Sequence, residues 1–288
     1  MGIIPDAVAF GFLFMLAEWD KCLDRSEWLH LVMAHSDTLR LPELIIGGIG
    51  LSMEAIVRVD PGFRCYIDKK YQKIVLAVDF IAASGAVGAE AVVTACEIFA
   101  TGSRRQWLKV AGEQKADIVE CYLHRRPSPP LGVVVEFGSF VGYSAVRMAW
   151  RSGATSRVLS LESDAIHVLV ARHVAIKALF STCIEILPGM AHDSVRRLTD
   201  EWGSACANFT FMDHRGTRFH VELMHLEHLK ALAPGARFLA DNTLKPGAPV
   251  NLWHFMLCPD RHSSVNWSVP EFVSDECEDW MSASDCRP

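Results

Sequence analysis

The chain has 288 residues, half of them apolar, so it can bury a sizeable core as one large domain or as one domain with an extension. Its 34 acidic and 28 basic residues give a formal net charge of -6, which argues against a nucleic-acid binder that relies on neutralising phosphates. The nine cysteines include no CxxC pair, so they are typical of free thiols in a reducing compartment rather than of a disulfide framework or a structural zinc site.

The first 70 residues are expected to form a helical extension without a catalytic constellation. Residues 7–17 are uncharged and mostly apolar, but this stretch is shorter than the roughly 18 to 20 residues of a membrane span and lacks the basic region of a signal peptide. We therefore predict a cytoplasmic protein without a membrane span, in which this helix is buried or faces a partner. Membrane association through the same helix is the alternative.

From residue 72 onward the apolar pattern predicts two amphipathic helices joined near Gly85–Gly88, followed by a proline-rich connector at 124–130. After the connector, strands and helices alternate, which is typical of a mostly parallel α/β sheet with helices on both faces. The strands are predicted at 132–137, 157–161, 183–187, 207–212 and 236–240, the helices at 143–152, 164–178, 191–202 and 220–232, and a closing antiparallel hairpin at 265–269 and 278–281. The predicted domains are thus an extension over 1–70 and an α/β domain over 71–288.

The turn after the first of these strands is a candidate ligand site. An acidic strand end, two glycines and a helix start follow one another in Glu136, Gly138, Gly142, Tyr143 and Ser144. Glycines let the backbone approach a ligand, and a helix start offers free N–H groups. Glu162 ends the second strand, where an acid can accept hydrogen bonds from both ribose hydroxyls of a nucleoside. The G-x-x-x-G spacing does not suit a pyrophosphate, so we predict S-adenosylmethionine rather than a dinucleotide.

Polar residues also follow the fourth and fifth predicted strands. Asp213 ends one strand, and Asp241 and Asn242 end the next, so a parallel sheet would bring all three to one edge. Two carboxylates and an amide oxygen make a hard, all-oxygen site that suits Mg²⁺ and leaves octahedral positions for water and substrate oxygens. The sequence therefore predicts a magnesium site beside the cofactor.

The chain from about residue 72 to the C terminus resembles the catechol O-methyltransferase family of class I S-adenosylmethionine-dependent methyltransferases. The resemblance is carried by E-x-G-x-x-x-G-Y-S-A-V-R-M-A at 136–149, by Asp213-His214, and by A-D-N-x-x-x-P-G-A-P at 240–249. It implies a Rossmann-like class I methyltransferase fold. It also implies a magnesium-dependent transfer of a methyl group from S-adenosylmethionine to a hydroxyl of a catechol-type substrate, as part of catechol metabolism.

The resemblance also implies roles for individual residues. On the cofactor side, Gly138, Tyr143 and Ser144 would surround the methionine part, Glu162 would bind the ribose and His214 would lie beside the adenine.

On the acceptor side, the resemblance implies that Trp107 and Pro246 wall the catechol slot and that Glu271 binds the second hydroxyl. Glu271 and Asp213 are therefore the expected catalytic residues. Without the family, Trp107 is more typical of a core or surface aromatic and Glu271 of a solvated loop acid.

Two departures from the family pattern leave alternatives open. The family's general-base lysine is Gly216 here, and Arg215 and Arg218 cannot replace it because a guanidinium stays protonated. Residues 109–111 read Lys-Val-Ala where the family shows Met-Asn-Val.

Three hypotheses follow from these departures. The first is an active but altered enzyme that passes the proton to water, His192 or Glu271. The second is a methyltransferase for another phenol or diol, because Arg215 replaces the family's tryptophan. The third is an impaired S-adenosylmethionine-binding scaffold whose residues 1–70 contact a partner.

Overall fold

The computed structural model of the protein describes residues 73–74, 76–102, 108–126, 132–153, 156–244, 258–271 and 274–287. Ser84–Pro288 form one compact unit, separate from the residues before them. The predicted extension over 1–70 lies outside the described residues, so its role and its boundary stay predictions. Across the described ranges, no helix combines the length and the apolar character needed to cross a membrane.

The described part of this unit contains six α-helices and seven strands. The helices are α1 (Ala89–Thr101), α2 (Glu113–His124), α3 (Tyr143–Ser152), α4 (Ala165–Lys177), α5 (Ala191–Trp202) and α6 (Phe219–His228). The strands are β1 (Val133–Phe137), β2 (Val158–Glu162), β3 (Ile184–Pro188), β4 (Ala207–Met212), β5 (Leu232–Ala240), β6 (His262–Glu271) and β7 (Ser274–Cys286).

The strands form one sheet in the order β3-β2-β1-β4-β5-β7-β6. Strands β1 to β5 pair in parallel, whereas β7 is antiparallel to both β5 and β6. The predicted mostly parallel sheet with a C-terminal antiparallel hairpin is therefore confirmed. The strand order reverses between β1 and β4, and in open α/β sheets a ligand binds at the carboxyl ends of the strands beside such a reversal.

Alternation along β1 divides its side chains between the two faces of the sheet. Val133, Val135 and Phe137 are fully buried in a core cluster that also includes apolar side chains of α5 and α6. Glu136 faces the opposite way and is hydrogen-bonded by Ser144 of α3. Helices therefore cover both faces of the sheet, as predicted.

Strands β5, β6 and β7 are longer than predicted, and two helices also differ from the prediction. Helix α2 was not predicted, because its buried stripe begins with the charged residue Lys115 before it continues with apolar side chains. The last helix ends at His228 rather than near 232, since Lys230 takes a positive φ of 53° and the N–H of Ala231 donates to the carbonyl of Leu226. The predicted helix joint near Gly85–Gly88 is present: the described residues up to 83 are helical, and α1 begins at 89.

Candidate active site

The carboxyl ends of β1, β4 and β5 are held side by side by backbone hydrogen bonds that continue the sheet past the strand ends. The N–H of Gly138 donates to Leu161 at 2.8 Å, that of Asp213 to Phe137 at 2.9 Å, and that of Asp241 to Met212 at 2.9 Å. The turn after β1 and the two predicted metal aspartates therefore meet at one edge of the sheet.

Both glycines of the turn are required, but for different reasons. Gly138 has a φ of +97°, and a Cβ there would lie 2.8 Å from the carbonyl oxygen of Asp213. Gly142 has a φ of +80°, and its Cβ would lie 3.0 Å from the Cα of Ala171 in α4. Gly138 thus keeps the turn against the strand-end aspartate, whereas Gly142 lets α3 pack on α4.

Glu162 is fixed at the end of β2 by the backbone. Its Oε2 accepts the N–H of Phe140 at 2.9 Å and its Oε1 accepts the N–H of Asp164 at 2.8 Å. A carboxylate has about four acceptor positions, so these two bonds leave lone pairs for a ligand's hydroxyl groups. The predicted ribose-binding acid is therefore rigid and lines the cavity described below.

His214 is buried between aromatic rings, with ring centroids 5.4 Å from Phe137 and 5.1 Å from Phe219. Burial lowers the pKa of His214 to about 4, so the imidazole is neutral near pH 7. Neither ring nitrogen has a hydrogen-bond partner among the described residues. Buried polar atoms are usually paired, so these nitrogens suit a ligand that brings its own polar groups.

Glu136 precedes the glycine turn and Tyr143 follows it. Burial raises the pKa of Glu136 to about 7, although hydroxyls of Ser144 and Ser160 hydrogen-bond to it. The Tyr143 hydroxyl donates to Glu97 of α1 at 2.5 Å, which directs this side chain away from the strand ends. Only the backbone of Tyr143 is left for the cofactor contact predicted for it, and that contact stays a prediction.

The acceptor edge of the site carries buried carboxylates close together. Burial, and then the neighbouring charge of Asp241, raise the pKa of Asp213 well above its ordinary value. Burial likewise raises the pKa of Asp241, against the lowering effect of Lys115. Two carboxylates that disfavour each other's charge, of which Asp241 is buried, form a site that a cation would stabilise.

Three residues that the sequence analysis did not assign complete this edge. The Lys115 ammonium of α2 lies 2.9 Å from Asp241 Oδ1 and 3.1 Å from Asp279 Oδ2 of β7. The side-chain amide of Asn242 also donates to Asp279. Lys109 donates from Nζ to Asn242 Oδ1 at 2.8 Å.

A sequence signal for two of these residues does exist. Lys115 lies on the apolar stripe of α2, and Asp279 shares the buried face of β7 with Met281 and Ala283. One face thus carries a buried positive charge and the other a buried negative charge. Because buried charges are usually paired, this pattern predicts that Lys115 and Asp279 contact each other.

One cavity of about 430 Å³ joins the cofactor and acceptor edges. Its lining includes Gly138, Glu162 and His214 on one side, and Lys109, Asp213, Arg215, Asp241 and Asn242 on the other. Gly216 begins a short 3-10 helix, Gly216–Arg218, directly after this lining. Within the described ranges, no group of three or more His, Cys, Asp or Glu side chains is placed to hold a metal ion.

The remaining predicted acceptor residues are not placed by the structure. Trp107 and Pro246 lie outside the described residues. Glu271 is the last residue of β6, where its backbone pairs with Ser274, and its side chain is outside the described part. Their predicted roles therefore stay predictions.

The fold and the cavity define a class of protein. A seven-stranded sheet of this order, with a glycine turn after β1, an acid after β2 and a cavity at the strand reversal, is a class I methyltransferase fold. The family model described as O-methyltransferase matches residues 132–252. The chain is 30% identical over 200 residues to a probable O-methyltransferase of Mycobacterium tuberculosis, covering 68% of this chain and 82% of that one. It belongs to the O-methyltransferase family.

Within that family, catechol O-methyltransferases are among the relatives. The mouse enzyme is 29% identical over 161 residues, which cover 56% of this chain and 57% of the mouse chain. The present chain thus spans little more than half the length of that relative. A solved O-methyltransferase of Bacillus cereus in complex with SAH aligns with a TM-score of 0.55 and 15% identity, covering 82% of this chain and all of that one, which supports the fold.

Proposed function

We propose that this protein is an S-adenosylmethionine-dependent O-methyltransferase that methylates a hydroxyl of a catechol-type acceptor. The observation that carries this proposal is a cavity whose lining combines Glu162 and His214 with the polar side chains of Asp213, Asp241 and Asn242. The family membership and the similarity to catechol O-methyltransferases support the same reaction.

The cofactor side of the cavity has groups that suit S-adenosylmethionine. Glu162 offers lone pairs for ribose hydroxyls, and the unpartnered nitrogens of His214 are available to the adenine. Gly138 keeps the turn free of a side chain. When bound, S-adenosylmethionine supplies a methyl group on a sulfonium, and the acceptor hydroxyl that takes it becomes a methyl ether, with S-adenosylhomocysteine as the co-product.

The acceptor side has a donor set that fits Mg²⁺. Asp213 and Asp241 are carboxylates with raised pKa values, and Asn242 adds an amide oxygen at the same edge. Such hard oxygens are the ligands that Mg²⁺ prefers. When bound there, Mg²⁺ would polarise the acceptor's hydroxyls as a Lewis acid and favour their ionisation.

The residues of the site contribute mainly by positioning. Methyl transfer from a sulfonium to a phenolate brings opposite charges together, so orientation and exclusion of water give most of the rate enhancement. Gly216 has no side chain that can act as a base, a contribution worth about 10² to 10⁴ in rate in other enzymes. The proton would therefore pass to water, His192 or Glu271. The His192 side chain is about half exposed and lies 3.1 Å from Asp193.

The test of this function is a transfer assay with labelled S-adenosylmethionine and a panel of catechols, phenols and aliphatic diols, with Mg²⁺ and with EDTA. Labelled methyl ether formed from catechols with Mg²⁺ is the expected result. Replacing Asp241 with Ala should abolish the metal-dependent turnover. Cofactor binding without transfer to any acceptor, with or without metal, would instead favour the scaffold hypothesis.

Arg215 favours a variant of this function with a different acceptor. This exposed residue lines the cavity next to Asp213 and His214, where the family pattern has a neutral aromatic residue. A fixed positive charge at that position favours an acceptor with an acidic substituent. A higher kcat/KM for anionic protocatechuate than for cationic dopamine, with the ratio reversed in Arg215→Trp, would support this variant.

A further inference from the structure

Lys109 makes a contact that neither the cofactor pocket nor the proposed metal site requires. It lies between α1 and α2, half-buried, and its Nζ donates to Asn242 Oδ1 at 2.8 Å across 133 residues of sequence. Asn242 is itself fixed: its backbone is in the left-handed region at φ 56°, its N–H donates to Asp241, and its amide donates to Asp279. The Lys109 ammonium is thus held at the oxygen that the proposed metal would use.

The carboxylates near this contact differ in whether a lysine is paired with them. Asp241 and Asp279 share the ammonium of Lys115, which lies within 3.1 Å of both. Asp213 has no such ion pair within salt-bridge distance among the described residues, and Lys109 lines the same cavity as Asp213 and Asn242. Lys109 therefore supplies, from inside the chain, the positive charge that the Asp213 and Asn242 edge lacks.

A divalent cation and the Lys109 ammonium cannot share this position without strong repulsion. Mg²⁺–oxygen distances are about 2.1 Å, so an ion bound to Asn242 Oδ1 would lie within about 5 Å of the Lys109 nitrogen as it stands. At that separation, in a site that is only partly exposed, two like charges oppose each other by more than thermal energy. The lysine has to move away before the ion can bind.

We infer that Lys109 is a tethered cation that occupies the acceptor edge in the metal-free protein and thereby sets a low affinity for divalent cations. This inference rests on the proposed function, because it takes Asp213, Asp241 and Asn242 as the metal ligands. It goes beyond that proposal by assigning control of the metal to a residue that is not one of the ligands.

The experiment measures Mn²⁺ binding to the full chain by electron paramagnetic resonance of the free ion. In Lys109→Met, which removes the charge at similar side-chain length, the affinity for Mn²⁺ should rise about tenfold or more. Lys109→Arg keeps a cation and a donor, so its affinity should stay within about threefold of the unaltered chain. The control is Lys177→Met in the last turn of α4, which changes the net charge equally and should leave the affinity within about twofold.

The outcomes separate the two proposals. Binding by Lys109→Met that is no tighter than that of the unaltered chain, or an equal gain in Lys177→Met, would overturn the role of Lys109, as would the absence of Mn²⁺ binding in Lys109→Met. Calorimetric titration with S-adenosylhomocysteine checks that each variant keeps its fold. A failure of the proposed function would be detected independently, as no cofactor binding by the unaltered chain.

Discussion

The two sides of the cavity are built in different ways. On the cofactor side, backbone groups fix the shape: Glu162 accepts two backbone N–H groups and Gly138 packs against a backbone carbonyl, while the His214 nitrogens are left for a ligand. On the acceptor side, charged side chains from α2, β5 and β7 neutralise one another. The shape of the first side is therefore fixed by the backbone, whereas the second side is held by the pairing of its charged side chains.

The largest expected effect comes from removing the Lys115 ammonium, which is buried on the acceptor side. Lys115→Met leaves Asp241 and Asp279 buried without their shared partner, so the free energy of unfolding should fall by about 3 to 5 kcal/mol. Urea unfolding followed by circular dichroism measures the loss. Lys177→Met, which removes a half-buried helical lysine, should cost less than about 1 kcal/mol. Equal stability of Lys115→Met and the unaltered chain would mean that the acceptor side does not depend on its internal charges.

The cofactor side should instead be sensitive to backbone shape. In Gly138→Ala the added Cβ would press on the Asp213 carbonyl, so affinity for S-adenosylhomocysteine, measured by calorimetry, should fall about 100-fold, or about 2.7 kcal/mol. Gly153→Ala is the matched control: its φ is also positive, at +85°, but no atom lies within 4 Å of its Cβ. That variant should lose about 1 kcal/mol of stability and keep its affinity. Equal affinity losses in both variants would point to general strain instead.

The same contrast explains what the sequence could predict. The strand ends, the glycine turn and Glu162 are signalled by local patterns within a few residues, and the structure places them at one edge as expected. Parallel pairing of neighbouring strands then brings Asp213 and Asp241 together. The contacts of Lys109 and Lys115 join residues at least 126 positions apart. Apart from the opposite charges of Lys115 and Asp279 on apolar faces, no local pattern specifies these pairs.

A smaller effect is expected where the cofactor side uses a side chain. Glu162→Gln replaces one carboxylate oxygen by an amide nitrogen, which cannot accept a hydrogen bond. One of the bonds from the N–H groups of Phe140 and Asp164 is therefore lost, together with lone pairs at the ribose position. Affinity for S-adenosylhomocysteine should fall about tenfold, or about 1.4 kcal/mol. Glu185→Gln on the neighbouring strand β3, where the carboxylate is 44% exposed, should change it less than twofold. An unchanged affinity in Glu162→Gln would remove Glu162 from the cofactor site.

The smallest expected effect is a change in stability with pH, and it concerns Glu136, which is fully buried near the end of β1. Its folded pKa of about 7 lies above the ordinary 4.5, so the folded state holds this proton more tightly than the unfolded state does. The stability that it contributes is therefore complete at low pH and is lost as the pH rises from about 4.5 through about 7. Glu136→Gln, which carries no such proton, should gain about 1 kcal/mol relative to the unaltered chain between pH 6 and pH 8 in urea unfolding.

If the difference between Glu136→Gln and the unaltered chain were the same at both pH values, the Ser144 and Ser160 hydroxyls would have to hold the Glu136 carboxylate ionised in the folded protein. An additional negative charge would then act on Asp213, and the acceptor side would need more positive charge than Lys109 and Lys115 provide.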